Sequence, residues 1–96
     1  MITGFADSTT ADIFNGVDSK AARKIPKVVW RVAQRKLDLL NAATSLQDLS
    51  GVPGNRLENL KGQLAGKYSI RLNDQYRVVF AFVASNAQDV VVTDYH

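Results

Sequence analysis

Residues 68–83 have the sequence YSIRLNDQYRVVFAFV, and this stretch decides the fold. In its first five residues apolar and polar side chains alternate, which is the pattern of a strand with one buried face. The pair Asn73-Asp74 predicts a two-residue turn, because both residue types tolerate a positive φ. The run Tyr76–Val83 is apolar on both faces except at Arg77, so it predicts a central strand of an antiparallel sheet.

Further strands are predicted on both sides of this hairpin. A turn at residues 85–87 leads into a last strand over Asp89–Tyr95, and Leu57–Lys61 and Ile2–Phe5 are weaker strand candidates. The order along the chain is then one strand, several helices, and three or four antiparallel strands. Helices on one face of such a sheet bury the apolar sides of both, which predicts an α+β fold.

Helical periodicity precedes the sheet. A helix is predicted over Pro26–Ala43, with the proline at its start, where a missing N–H costs little. A shorter helix is predicted over Ser8–Phe14, with Ser8 or Thr9 as its cap. A last helical turn begins at Ser45. The apolar stripe of the long helix comprises Val29, Val32, Ala33, Leu37, Leu40 and Ala43.

Composition limits the chemistry that is available. The 96 residues are 46% hydrophobic and 22% charged, which predicts one globular domain over residues 1–96. The absence of cysteine excludes disulfides, thiol catalysis and cysteine-ligated zinc, and a single histidine excludes ordinary histidine-rich metal sites. No cysteine- or histidine-rich metal site is therefore expected, and no glycine loop or dinucleotide fingerprint indicates a nucleotide cofactor. No apolar run approaches the roughly 20 residues that span a bilayer, and the start lacks the features of a secretory signal, so a cytoplasmic location is expected.

Positive charge is concentrated in one segment. The net charge is +3, yet residues 20–36 hold seven basic side chains and no acidic one. On the predicted helix Lys27, Arg31 and Arg35 lie opposite the apolar stripe, with Lys20 and Lys24 in line. Such a face contacts RNA phosphates, contacts an acidic protein surface, or is simply solvated.

Few residues have an obvious chemical role on pattern alone. Arg77 in the middle of an apolar strand requires an acidic partner or solvent, and Asp94 and Glu58 are the candidate partners. Lys61 is either a surface residue or a phosphate ligand. Glu58 and Lys61 are three residues apart, so in a strand they face opposite sides unless the chain bends between them. The single histidine, His96, is the last residue.

Five short segments occur in a recognisable order. They are Leu39–Thr44, Arg56–Gly62, Gly66–Ile70, Tyr76–Phe80 and Asp94–His96. Together they resemble the HigB branch of the RelE-like toxins of bacterial type II toxin–antitoxin systems, also called plasmid maintenance killer proteins. The resemblance covers nearly the whole chain from Ile2. It implies a curved antiparallel sheet of four or five strands packed against N-terminal helices.

The resemblance also implies a function and its residues. Members of this branch are ribosome-dependent endoribonucleases that cut mRNA without a metal and are silenced by a helix-turn-helix antitoxin, HigA. The implied partners are therefore the 70S ribosome, mRNA and a HigA-like antitoxin, with operator DNA bound only through the antitoxin complex and no membrane. The catalytic residues that it implies are Lys61, Arg77, Asp94, Tyr95 and His96, together with Glu58, which stands where the family often has histidine.

These residue types suit metal-free cleavage of RNA. Lys61 and Arg77 would stabilise the transition-state charge at the phosphate. Glu58 or Asp94 would take the proton of the attacking 2′-hydroxyl. His96 would protonate the leaving oxygen or orient the base, and Tyr95 would position the base or stack on it.

With this resemblance, RNA contact becomes the favoured role of the basic residues. The residues expected to contact RNA or the ribosome are Lys20, Arg23, Lys24, Lys27, Arg31, Arg35, Lys67 and Arg71. Two other hypotheses keep the fold without the reaction. One is a catalytically inactive ribosome- or RNA-binding domain, and the other is a subunit that acts mainly in transcriptional autoregulation with its antitoxin.

Overall fold

Three helices precede a four-stranded antiparallel sheet in the structure, a computed structural model that describes residues 1–94. The helices are α1 (Ser8–Phe14), α2 (Lys27–Ala42) and α3 (Leu46–Ser50), and the strands are β1 (Glu58–Asn59), β2 (Lys67–Arg71), β3 (Tyr76–Val83) and β4 (Asn86–Asp94). Short 3₁₀ turns occur at Ala22–Lys24 and Gly62–Leu64. The strands lie side by side in chain order, so the predicted α+β fold is confirmed.

Helix α2 matches its predicted span and packs its apolar stripe into the core. Pro26 is the residue before its first turn, and Val29, Ala33, Leu37 and Leu40 are all buried. The residue that the pattern did not predict on this side is Lys36, of which only 4% is exposed. Within the part of the chain that the structure describes, no helix is long and apolar enough to cross a membrane.

Helix α1 has the predicted bounds but a different cap. Asp7, rather than Ser8 or Thr9, occupies the cap position, and its carboxylate accepts a hydrogen bond of 2.8 Å from the Thr10 N–H. Thr9 is buried, and its hydroxyl donates to the carbonyl of Ala21. Thr9 therefore lies inside the helix and does not cap it. Asp7 instead accepts a hydrogen bond from one of the backbone N–H groups that are unpaired in the first turn of a helix.

The predicted turn at Asn73-Asp74 is present but longer than expected, and the next turn lies earlier in the chain than predicted. The β2–β3 connection is longer than two residues, because the Asn73 side-chain oxygen accepts bonds from the backbone N–H groups of Gln75 and Tyr76. The β3–β4 turn consists of Ala84 and Ser85, with φ of 51° and 66°, so β4 begins earlier than predicted. A pair of positive φ values matches the twist of a two-residue hairpin.

The two weaker strand candidates form only partial strands. Ile2 bridges Ala87 and Phe5 bridges Val90, both parallel, so the N-terminal segment runs along the free edge of β4. In the other candidate only Glu58–Asn59 has strand geometry. The N-terminal contacts cover an edge that would otherwise expose unpaired backbone groups.

The sheet has one face against the helices and one face turned away from them. Ile70, Val78 and Phe80 are fully buried on the helix side. By alternation and cross-strand register, the opposite face carries a different set of side chains, and we call it the outer face. Its members are Glu58, Leu60, Lys67, Ser69, Arg71, Arg77, Val79, Ala81, Val91 and Thr93.

Candidate active site

The outer face is organised around an ion pair that spans three strands. Arg77 on β3 places its Nη2 atom 3.6 Å from Oε1 of Glu58 on β1. Strand β2 lies between them, so the two side chains meet above it. The Arg77 side chain is 18% exposed and that of Glu58 is 49% exposed. The sequence offered Glu58 and Asp94 as partners for Arg77, and the structure shows the ion pair with Glu58.

Ser69 lies below this ion pair. It is directly opposite Glu58 on one side and Val79 on the other. Ser69 is fully buried, and its hydroxyl has no hydrogen-bond partner among residues 1–94. A short side chain at this position leaves room for the longer side chains of the two outer strands to approach each other.

Two further cations lie on the outer face, one beside Arg77 and one farther along β2. Arg71 is directly opposite Arg77 across the β2–β3 pair, and Lys67 is opposite Ala81. Like charges that face each other across a sheet repel, and Arg71 offsets this by an ion pair with Asp74 in the turn. The face is therefore electropositive, with Glu58 at its β1 edge, an arrangement that suits a phosphate beside a proton acceptor.

Lys61 is not brought into this arrangement. The Leu60 N–H still donates to the Lys67 carbonyl, and Lys61 itself is extended, with φ −126° and ψ 175°. The chain turns only at Gly62, whose φ is 69°. The bend that would place Lys61 beside Glu58 therefore does not occur between them. Among residues 1–94, no ion pair or side-chain hydrogen bond involves the exposed Lys61 ammonium.

The three predicted C-terminal site residues are described only in part. Asp94 is opposite Tyr76, whereas Arg77 is opposite Thr93. Because neighbouring residues of a strand point to opposite faces, Asp94 and Arg77 are on opposite faces of the sheet. The Asp94 carboxylate accepts a hydrogen bond of 2.9 Å from the side-chain amide of Gln75. Tyr95 and His96 lie outside the described residues, and their predicted roles stay predictions.

Asp18, just before the basic segment in the chain, forms ion pairs with two of its residues. Asp18 accepts from the Arg23 Nε at 2.8 Å and from the Lys27 Nζ at 2.9 Å. These hydrogen bonds, first from Arg23 and then from Lys27, lower the pKa of Asp18 to about 2. Lys27 also lies 5.5 Å from the centre of the Trp30 ring. Two predicted RNA-binding cations of this segment are thus already engaged within the protein, as Arg71 is on the sheet.

Four of the remaining cations of this segment are accessible to a partner. Lys20, Lys24, Arg31 and Arg35 are exposed, and no carboxylate of residues 1–94 forms an ion pair with them. Lys36 is different, because it is buried and its ammonium donates to the Asn55 side-chain oxygen. Burial, followed by the positive charges of Arg35 and Arg71, lowers the pKa of Lys36.

A metal centre is not apparent in this arrangement. Across residues 1–94, no group of three or more histidine, cysteine, aspartate or glutamate side chains is placed to hold an ion. The expectation that no metal or cofactor is needed remains a prediction.

Sequence comparison identifies the family of the chain. A family model described as "RelE-like toxin of type II toxin-antitoxin system HigB" matches residues 3–96. The chain belongs to the HigB-like toxins. Toxin HigB-1 of Vibrio cholerae is 47% identical over 66 residues, which are 69% of this chain and 70% of that protein. An uncharacterized protein of Haemophilus influenzae is 41% identical over 59 residues, 62% of this chain and 58% of its own length.

Solved structures agree with the RelE-like fold of this HigB-like toxin. The YoeB–YefM complex from Staphylococcus aureus matches all of the chain and 98% of the solved chain, with a TM-score of 0.62 and 17% identity. The YoeB dimer from the same organism matches 99% of the chain and 97% of the solved chain, with a TM-score of 0.58 and 18% identity. At these identities the likeness concerns the fold.

Proposed function

We propose that this HigB-like toxin is an endoribonuclease that cleaves mRNA on the translating ribosome without a metal ion and thereby inhibits translation and growth. RelE-like toxins are generally endoribonucleases, and the observation that carries the proposal here is the Glu58–Arg77 pair on an electropositive sheet face. The two groups supply a proton acceptor and a phosphate-binding cation at one place.

The reaction balances with these groups. The ribose 2′-hydroxyl gives its proton to the Glu58 carboxylate while its oxygen attacks the neighbouring phosphorus. Arg77 leaves its ion pair with Glu58 and donates to the phosphate oxygens, on which negative charge develops. The bond from phosphorus to the 5′-oxygen breaks, and an acid protonates that oxygen. The products are a cyclic phosphate and a free 5′-hydroxyl.

The proton for the leaving oxygen is assigned to His96, and Asp94 is an alternative base to Glu58. Tyr95 is assigned to position or stack on the base next to the cut. Lys61 would add positive charge from the β1 edge of the sheet. The chain is extended at Lys61 and does not bend toward Glu58, so Lys61 would stabilise the transition-state charge less than Arg77 does.

The open arrangement of Glu58 and Arg77 supports the proposed dependence on the ribosome. The Glu58–Arg77 separation of 3.6 Å is longer than a hydrogen bond, and Glu58 is half exposed. A site of this kind gains most from a partner that presents the substrate in the reactive geometry, since positioning alone supplies several kcal/mol. The ribosome would hold the mRNA in that geometry.

The exposed cations are proposed to bind ribosomal RNA. Lys20, Lys24, Arg31 and Arg35 are accessible for phosphate contacts, and Lys67 and Arg71 extend the positive surface beside the site. Arg23, Lys27 and Arg71 contribute less, because Asp18 already binds the first two and Asp74 binds Arg71.

The proposed antagonist is a HigA-like antitoxin. The Staphylococcus aureus YoeB that shares this fold is described in complex with YefM, a toxin with its antitoxin. A small helix-turn-helix protein would bind this toxin in the same functional relation, and operator DNA would be contacted through that complex. The ribosome as target implies a cytoplasmic location.

The test is cleavage of a defined mRNA with and without 70S ribosomes. We expect fragments only with ribosomes, and loss of cleavage in Glu58→Gln and Arg77→Ala. Asp38→Asn, a change of an exposed carboxylate on α2, is the matched control and should cleave normally. Intact mRNA in every reaction despite ribosome binding would contradict the proposal and favour an inactive ribosome-binding domain.

A further inference from the structure

The Ser69 hydroxyl is a buried polar group in the middle of the outer face. Among residues 1–94 no group forms a hydrogen bond with it, although the residue has no exposed surface. Burying a polar group without a partner is unfavourable, and most buried polar groups in proteins are paired. Its position in the middle of the outer face, under the Glu58–Arg77 pair, points to a function at that site.

Register limits the groups that this hydroxyl can reach. Its direct neighbours across the sheet are Glu58 on β1 and Val79 on β3. Directly opposed residues have Cβ atoms about 4.5–5.5 Å apart, so a glutamate carboxylate reaches the opposite side chain by rotation about its own bonds. Val79 has no acceptor on its side chain. The Glu58 carboxylate is therefore the natural acceptor for the Ser69 hydroxyl.

In the free toxin the carboxylate is engaged elsewhere, at 3.6 Å from Arg77. A bound RNA phosphate competes with Glu58 for that guanidinium. We infer that Ser69 is a positioning residue for Glu58: once the phosphate has taken Arg77, the Ser69 hydroxyl donates a hydrogen bond to the Glu58 carboxylate and holds it at the ribose 2′-hydroxyl. This inference rests on the proposed function.

The hydrogen bond would serve catalysis rather than binding. One carboxylate oxygen accepts from Ser69, and the other remains available for the proton of the 2′-hydroxyl. Without Ser69, the half-exposed Glu58 side chain has no anchor after Arg77 leaves it and turns toward solvent. Loss of one hydrogen bond to a charged group corresponds to a fall of about 10- to 100-fold in rate.

A matched set of variants isolates the hydroxyl. Ser69→Thr and Ser69→Val introduce side chains of nearly the same shape, and only the threonine keeps the hydroxyl. On programmed ribosomes we expect Ser69→Ala and Ser69→Val to lower kcat about 10- to 100-fold with KM unchanged, and Ser69→Thr to retain most of the activity.

Stability separates a positioning role from a structural one. Ser69→Ala deletes a buried polar group without a partner, so its urea midpoint should equal or exceed that of the wild type. A midpoint that falls along with kcat, or equal activities of Ser69→Thr and Ser69→Val, would overturn the inference.

The inference and the proposed function fail in different ways. Full activity of Ser69→Ala beside an inactive Glu58→Gln would overturn the role of Ser69 and leave the proposed reaction in place. A wild-type toxin that leaves ribosome-bound mRNA intact would overturn both.

Discussion

Lys36 and Asn55 form a buried hydrogen bond between helix α2 and the loop that leads into the sheet. The Lys36 ammonium donates to the Asn55 side-chain oxygen, and the Asn55 side-chain amide donates to the carbonyl of Leu49 at 3.0 Å. The Asn55 carbonyl in turn accepts from the Arg71 N–H at 2.6 Å. One asparagine thus joins α2, the end of α3 and β2, which carries part of the outer face.

Removal of this asparagine should destabilise the fold. Asn55→Ala leaves the buried Lys36 ammonium and the Leu49 carbonyl without their partner, and we expect the free energy of unfolding to fall by about 3 kcal/mol. Urea denaturation measures the change. The matched control is Asn41→Ala, which removes an exposed hydrogen bond to the Ile2 N–H and should cost less than about 1 kcal/mol. Equal losses in the two variants would contradict the role given to Asn55.

The buried ammonium should also make stability depend on pH. The pKa of Lys36 is lowered in the folded protein from its usual 10.5, mainly by burial, so the unfolded chain binds the proton more tightly. Between the lowered value and 10.5 the unfolded state carries more protons, and stability therefore rises as pH rises. Relative to Lys36→Met, the wild type should gain stability as the solution is brought toward pH 10.5. A constant difference in urea midpoint across that range would contradict this expectation.

The strands of the central hairpin could be predicted from the sequence because their signal is local. Alternation over β2 and the apolar run of β3 depend only on which residues face the helices. The Asn73-Asp74 turn was located correctly but is longer than two residues, and the β3–β4 turn was placed too late. Turn geometry depends on contacts that composition does not show. The Asn73 side chain widens one turn, and Ala84 adopts a positive φ that its residue type does not favour.

For the site, alternation predicted the face of Arg77 but not which acid it meets. Glu58 reaches Arg77 because β1 pairs with β2, and this neighbour relation is absent from either strand's own pattern. Burial of Lys36 was missed because lysine is rarely buried, although it is three residues after Ala33 and four before Leu40, on the apolar side of α2. Asp18 was overlooked because it precedes the basic segment in the chain.

The N-terminal cap of α1, which differs from the predicted one, can be tested directly. Asp7→Ala removes the acceptor of the Thr10 N–H and should lower the free energy of unfolding by about 1 kcal/mol. Ser8→Ala changes an exposed residue inside the helix and should have almost no effect. Urea denaturation of both variants distinguishes the two candidate caps. A larger loss in Ser8→Ala would restore the cap that the sequence predicted.

Asp18 should limit the affinity of the toxin for RNA. Its carboxylate binds Arg23 and Lys27, so Asp18→Asn releases both cations for phosphate contacts and removes a negative charge. We expect the variant to bind ribosomes more tightly. The slope of log affinity against log salt concentration should become steeper by about one to two released ions. Filter binding across a salt series measures both quantities. Asp38→Asn removes the same charge from an exposed site without an ion pair in the described chain, and it should leave the slope nearly unchanged. Equal slopes for Asp18→Asn and the wild type would show that Arg23 and Lys27 take no part in binding RNA.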